Sequence, residues 1–90
     1  MALIVQKFGG TSVGDLEKIK GVAGRIAKYV KNGHKVIAVA SAMSGETNRL
    51  LSLGFDISDG EPDLREMDSL VASGEQVSTS LIALALKNRV

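Results

Sequence analysis

A lysine, two glycines and two hydroxyl residues fall in one uninterrupted run, Lys7-Phe8-Gly9-Gly10-Thr11-Ser12-Val13. Glycines let backbone N–H groups approach phosphate oxygens, and a helix starting just after such a turn adds roughly half a positive charge. Lys7 brings a full charge, suited to neutralising a phosphoryl group in transfer. The hydroxyls of Thr11 and Ser12 are donors for phosphate or substrate. The same residues also fit a purely structural reading. Gly9-Gly10 then makes a tight turn and Ser12 caps the next helix, with Asp15 three residues on completing a capping-box-like pair. The run is not a Walker A motif, because no Gly-Lys-Ser/Thr follows, and it lacks the G-x-G-x-x-G spacing of dinucleotide sites.

Two further segments are rich in polar groups. Ser41-Ala42-Met43-Ser44-Gly45-Glu46-Thr47-Asn48 is rich in hydroxyls, and Ser73-Gly74-Glu75-Gln76-Val77-Ser78 places a carboxylate beside a glycine. Glu75, if partly buried, is a carboxylate that needs a positive partner. Read structurally, Glu75 is an exposed carboxylate at a helix start, worth about 0.3 to 1 kcal/mol through the helix dipole. Thr47 is then an N-cap and Ser41 a strand-end turn residue. His34 follows Gly33 in a turn and is given no role. Glu61, Asp63, Glu66 and Asp68 read as a solvated helix face, so no metal ligand is assigned.

The elements that position these residues follow from hydrophobic spacing. Residues 3–7 are an apolar, β-branched run closed by glycines, which predicts a buried parallel strand. Over residues 15–31, Leu16, Ile19, Ala23, Ile26, Ala27 and Val30 recur at three- and four-residue steps, forming one helix face. Gly33 then serves as a left-handed cap. Gly21 and Gly24 each cost about 0.5 to 1 kcal/mol inside that helix, which close packing on a sheet would offset.

Residues 36–40 predict a second buried strand. Strand, helix and strand in that order imply a right-handed parallel βαβ unit, with ligands expected beyond the C-terminal ends of the strands. A short helix is expected over residues 49–55 and a mobile polar break over 56–62. Pro62 opens a helix through Leu64, Met67, Leu70 and Val71, with Asp63 in its first turn. Gly74 is expected to interrupt it, and a last helix from about Glu75 carries Val77, Leu81, Leu84 and Ala85.

The three polar segments together resemble those of the aspartokinases in the amino-acid kinase family: KFGGTSV at 7–13, SAMSGETN at 41–48, and SGE opening at Ser73. They stand in the family's order and cover nearly the whole chain. Related acetylglutamate, glutamate and uridylate kinases keep a lysine and glycines at the first position, but not the whole heptapeptide.

The resemblance implies an α/β fold, the N-terminal part of the carbamate-kinase-like architecture, with residues 1–90 a partial domain. The remaining catalytic strands and the regulatory ACT domains of a complete aspartokinase are expected to lie outside these 90 residues. It also implies transfer of the ATP γ-phosphoryl group to the side-chain carboxylate of L-aspartate with Mg2+ assisting, the entry to lysine, threonine and methionine synthesis. Carried over by position, Lys7, Phe8, Gly9 and Gly10, with Thr11 and Ser12, match the ATP-phosphate loop, and Lys7 is the catalytic cation. Thr47 and Glu75 match residues that hold aspartate, with Ser41 on the substrate side. The partners expected are ATP and L-aspartate, and the full-length protein is expected to be a homo-oligomer. Another amino-acid kinase and a non-catalytic phosphate-binding or assembly fragment are the alternatives. The isolated chain is expected to be inactive or nearly so.

Composition sets the outer limits. Ninety residues with 44% hydrophobic content and a net charge of +1 read as one globular unit without a basic face for nucleic acid. Its only aromatics, Phe8, Tyr29 and Phe55, leave little for stacking on bases. Cysteine is absent, the apolar runs fall short of the ~20 residues that cross a bilayer, and the N-terminus lacks a secretory pattern. A cytoplasmic protein with no membrane partner is the expectation. A chain this short buries only about 60% to 65% of its unfolded surface, and a sheet edge and apolar helix faces should remain uncovered.

Overall fold

The strand, helix, strand order read from the first half of the sequence is present. The computed structural model describes residues 1–87 and 89; Asn88 and Val90, within the expected unit 1–90, lie outside the described residues. The order is β1 (Leu3–Phe8), α1 (Leu16–Lys31), β2 (Lys35–Ala40), α2 (Glu46–Ile57) and α3 (Leu64–Leu86). The strands pair in parallel, from Leu3 opposite Lys35 to Phe8 opposite Ala40. The chain is therefore α/β, with the expected βαβ start.

Strand alternation sorts the side chains into two faces. Phe8 joins Val13, Ile19, Val22, Ile26 and Ile82 in a core between the sheet and helices α1 and α3, with Val36 and Ala40 packed against it. The other face carries Leu3, Val5, Ile37 and Val39, which are 66%, 65%, 51% and 49% exposed. Both strands were expected to be fully buried, and this corrects that reading. A parallel sheet is buried by layers on both faces, and this chain supplies helices to one. The Cα radius of gyration is accordingly 15.5 Å, against about 12 Å for a compact domain of this length.

In α1, Val22 is buried while Leu16 and Val30 are exposed, so the core-facing stripe is rotated slightly from the predicted one. Asn32 is the C-cap and Gly33 follows at φ 87°, the left-handed position expected of it. Gly21 and Gly24 do not pack on the sheet. Both are exposed, and a Cβ at either would meet no atom within 4 Å.

The second half departs furthest from expectation. α2 starts earlier and ends later than residues 49–55, and the turn after it takes Asp59 and Gly60 through positive φ. Asp63, not Pro62, opens the next helix, its carboxylate accepting from the Arg65 and Glu66 amides. Gly74 does not interrupt that helix: α3 runs unbroken for 23 residues. Its buried positions are Met67, Gly74, Ser78 and Ile82, whereas Leu64, Val77 and Leu84 are exposed. Gly54 of α2 lies against Met67 and Leu70, so the two helices meet closely there. Among the described residues, α3 is also the one helix long and apolar enough, by length and composition, to cross a membrane. It carries Glu75 at mid-length and packs along α1 and α2. The sequence argument from short apolar runs had overlooked this length because it divided the helix at Gly74.

Candidate active site

The glycine loop is held at both ends by buried side chains. Phe8 closes β1 at 3% exposure and Val13 is fully buried, so residues 9–12 are pinned between two core anchors. Between them the Ser12 amide donates to the Gly9 carbonyl at 3.0 Å, closing a tight turn. Thr11 and Ser12 are exposed. Ser12 does not cap α1. Asp15 does, its Oδ1 accepting from the Lys18 amide at 2.8 Å. One of the free amides of the helix start is thus already satisfied, by a carboxylate whose charge offsets the helix dipole. The donors left over at this turn are loop amides.

Two glycines in the loop have different reasons to be glycine. A Cβ on Gly10 would sit 3.3 Å from the Ala42 carbonyl oxygen, so this residue lets the first loop lie against the second. A Cβ on Gly9 would meet nothing within 4 Å, and its φ is not positive. The fold makes no demand for glycine at Gly9. A ligand approaching the backbone would.

The second loop leaves β2 at Ser41, whose amide donates to the Phe8 carbonyl at 3.0 Å. Ala42 is buried and Met43 packs on the core. Gly45, at φ 80°, is the N-cap of α2, so Thr47 is not a cap and lies in the first turn with its side chain exposed. Glu46 is held by the Arg49 guanidinium through contacts to both carboxylate oxygens, with Nε at 3.1 Å from each. That hydrogen bonding holds the Glu46 carboxyl below the usual carboxylate range and raises the Arg49 guanidinium above its usual value.

A depression of about 370 Å3 lies between these loops and includes Gly10, Thr11, Ser41 and Thr47. Beside it, a groove of about 590 Å3 runs between β2 and α3 and includes Val39, Ala40, Glu75 and Thr79. Ala40 and Ser41, one in each lining, are consecutive, so the two hollows adjoin at the C-terminal end of β2. Glu75 is exposed and stands in the middle of α3. Neither a partly buried carboxylate nor a helix-start one describes it.

Lys7 is exposed at the end of β1, opposite Val39 on the bare face of the sheet. It lines neither hollow, and makes no ion pair among the described residues. Phe8 contributes its side chain to the core and its carbonyl to Ser41, which makes it an anchor of the loop.

Two residues that sequence reasoning passed over complete the geometry. A Cβ on Gly74 would stand 3.1 Å from Ala42 Cβ and 3.2 Å from Leu50 Cδ1. Ala42 thereby touches Gly10 on one side and Gly74 on the other, and Gly74 precedes Glu75. All three polar segments meet at one methyl-bearing residue. The signal available in sequence was an uncompensated glycine at the centre of a helical pattern.

The amino acid kinase family model matches residues 2–90. The aspartate kinase Ask_LysC of Stutzerimonas stutzeri is 54% identical over 89 residues, covering 99% of this chain and 21% of that protein. Aspartokinase 2 of Bacillus subtilis is 53% identical over 89 residues, covering 99% of this chain and 22% of that protein. Among solved structures, the crystal structure of aspartate kinase from Synechocystis superposes with a TM-score of 0.89 at 51% identity, covering 96% of this chain and 14% of the other. The chain thus spans about a fifth of the length of the curated relatives it matches.

Proposed function

The chain belongs to the amino acid kinase family, and from that premise we propose that it is the phosphate-loop segment of an aspartate kinase. The reaction is transfer of the ATP γ-phosphoryl group to the β-carboxylate of L-aspartate, giving 4-phospho-L-aspartate for lysine, threonine and methionine synthesis. The observation that carries the reading is the convergence at Ala42, which joins a glycine loop, the Ser41–Thr47 segment and the helix bearing Glu75.

A carboxylate nucleophile needs no general base, so the protein's tasks are positioning and neutralisation of charge. The amides of Gly9 and Gly10 face the ATP phosphates, and Gly9 leaves the room that a phosphate requires. Thr11 and Ser12 donate from their hydroxyls. Lys7, on an exposed strand end, swings its ammonium to the transferring group. Ser41 and Thr47 hold aspartate from the second loop, and Glu75 receives its α-ammonium across the adjoining groove. Mg2+ bound with the nucleotide would supply further neutralisation of phosphate charge. A cytoplasmic homo-oligomer, as expected from the aspartokinase resemblance, completes the proposed reading.

The test is phosphoacceptor profiling of the full-length protein in a coupled ADP-release assay. Aspartate-dependent turnover is expected; preference for glutamate, carbamate or UMP would replace the substrate. For the 90-residue chain, turnover at background is expected, together with MgATP-dependent shifts of the Gly9 and Gly10 amides. Amides unmoved at millimolar nucleotide would count against a phosphate loop.

A further inference from the structure

We infer that Ala42 is a positioning residue that sets the separation between the phosphate loop and Glu75, an inference that rests on the aspartate kinase reading above. The phosphate loop belongs to the β1–α1 connection, Ser41 and Thr47 to the β2–α2 connection, and Glu75 to α3. The residue in contact with both outer segments is Ala42, which is 5% exposed. Its carbonyl oxygen lies against Gly10 and its Cβ against Gly74, with would-be Cβ separations of 3.3 Å and 3.1 Å. A Cβ at either glycine would stand closer than ordinary van der Waals contact, so neither accepts a side chain unless its neighbours, Ala42 first among them, give by a few tenths of an ångström.

The two contacts use different parts of Ala42, and this gives the residue a directional effect. The backbone carbonyl supports the loop on the ATP side. The methyl group supports α3, one residue before Glu75, on the aspartate side. Enlarging or deleting the methyl therefore displaces Glu75 relative to Thr47 while the Gly10 contact is kept. Leu50 Cδ1 and Glu46 Cγ, 3.2 Å and 3.7 Å from where a Gly74 Cβ would stand, close the rest of the space, so a methyl added at Gly74 moves α3 outward and deletion of the Ala42 methyl lets it settle inward. Phosphoryl transfer between two bound substrates is sensitive to such shifts, because a misplacement of about 1 Å lowers rate on the order of a hundredfold.

The experiment uses the full-length protein and three variants, Gly74→Ala, Ala42→Gly and the exchange A42G/G74A, which moves one methyl group across the contact. Expected is a rise of about tenfold in KM for aspartate in each single variant, with KM for ATP within about twofold of the unsubstituted protein. The exchange variant should bring KM for aspartate back to within about threefold, because the methyl again fills the gap. Ala42→Gly introduces no clash, so it reports even if Gly74→Ala does not fold. Melting temperature is followed in parallel. Lowered melting temperature with unchanged KM for aspartate in the folded variants would make Ala42 a packing residue only and overturn the inference. Equal rises in both KM values, or an exchange variant no better than the singles, would overturn it as well. Failure of the unsubstituted protein to phosphorylate aspartate is a separate result, and sinks the aspartate kinase reading itself.

Discussion

The Ser41 amide donates to the Phe8 carbonyl at 3.0 Å, so strand pairing continues one residue past β2 and stops where both polar loops open. Phe8 is buried among α1 and α3 residues, and the hydrogen bond therefore ties the second loop to a fixed point of the core. Backbone positions on either side of this tie are well determined, while the Lys7 side chain next to it is exposed and free of ion pairs among the described residues.

Lys7 should consequently affect chemistry and leave the scaffold alone. In the full-length protein, Lys7→Ala is expected to lower kcat by about 10²- to 10³-fold, the scale of removing one charge-stabilising donor. Stability should stay within about 0.5 kcal/mol, as for an exposed residue without structural contacts. Urea unfolding beside the kinetic assay checks both. A stability loss with full activity per folded molecule would move Lys7 into the scaffold.

Gly21 and Gly24 make the opposite kind of prediction. Both are exposed in α1, both have helical rather than positive φ, and a Cβ at either meets nothing within 4 Å. Ala at each site should therefore stabilise the 90-residue chain by about 0.5 to 1 kcal/mol, through helix propensity and a less flexible unfolded state. Urea midpoints of the single variants decide it. A lowered midpoint at either site would mean that this face of α1 is covered.

These glycines show where sequence reasoning reaches and where it stops. β1, α1, β2 and the Gly33 cap were legible because their signals are local: apolar runs, a 3.6-residue period, a glycine past a helix end. The same local rule misplaced Gly74. A glycine inside a helix is unfavourable by about 1 kcal/mol, so it reads as a break. Here the contact with Ala42 and Leu50, residues far away in sequence, offsets that cost. Gly21 and Gly24, assigned close packing by the same logic, have none. Thr47 and Glu75 were singled out through motif order, while their placement beside adjoining hollows follows from tertiary packing at Ala42. That contact is tertiary and leaves no mark on spacing.

The Glu46–Arg49 pair gives a pH dependence of defined sign. Hydrogen bonding to Arg49 lowers the folded-state pKa of Glu46. A depressed carboxylate pKa contributes stability above the unfolded value and loses it as pH falls through the lowered folded value. The difference in urea midpoint between the unsubstituted chain and Arg49→Gln should be constant near neutrality and close on acidification below the usual carboxylate range. Added salt should shrink it, since the pair is exposed. A difference that persists unchanged into acid would assign it to the arginine's packing instead.

His34, which the sequence left without a role, joins the end of α1 to the start of β1. Its Nδ1 accepts from the Ala2 amide at 3.1 Å, which leaves the proton on Nε2, and its own amide donates to the Tyr29 carbonyl at 3.1 Å. Beside it the Lys35 amide donates to the Ala2 carbonyl at 2.9 Å, so the imidazole extends the pairing of the two strands at their N-terminal end. His34→Ala should cost about 0.5 to 1.5 kcal/mol, the net value of one hydrogen bond. Amide exchange at Ala2 should quicken, while the Gly9 and Gly10 amide shifts stay in place, since they lie past the far end of β1, and Ala2 to Phe8 spans about 20 Å at about 3.3 Å per residue. His34→Asn, whose side-chain oxygen falls near the position of Nδ1, should restore most of the protection. Unaltered exchange at Ala2 in His34→Ala would show that the strand end is held by the Lys35 hydrogen bond alone.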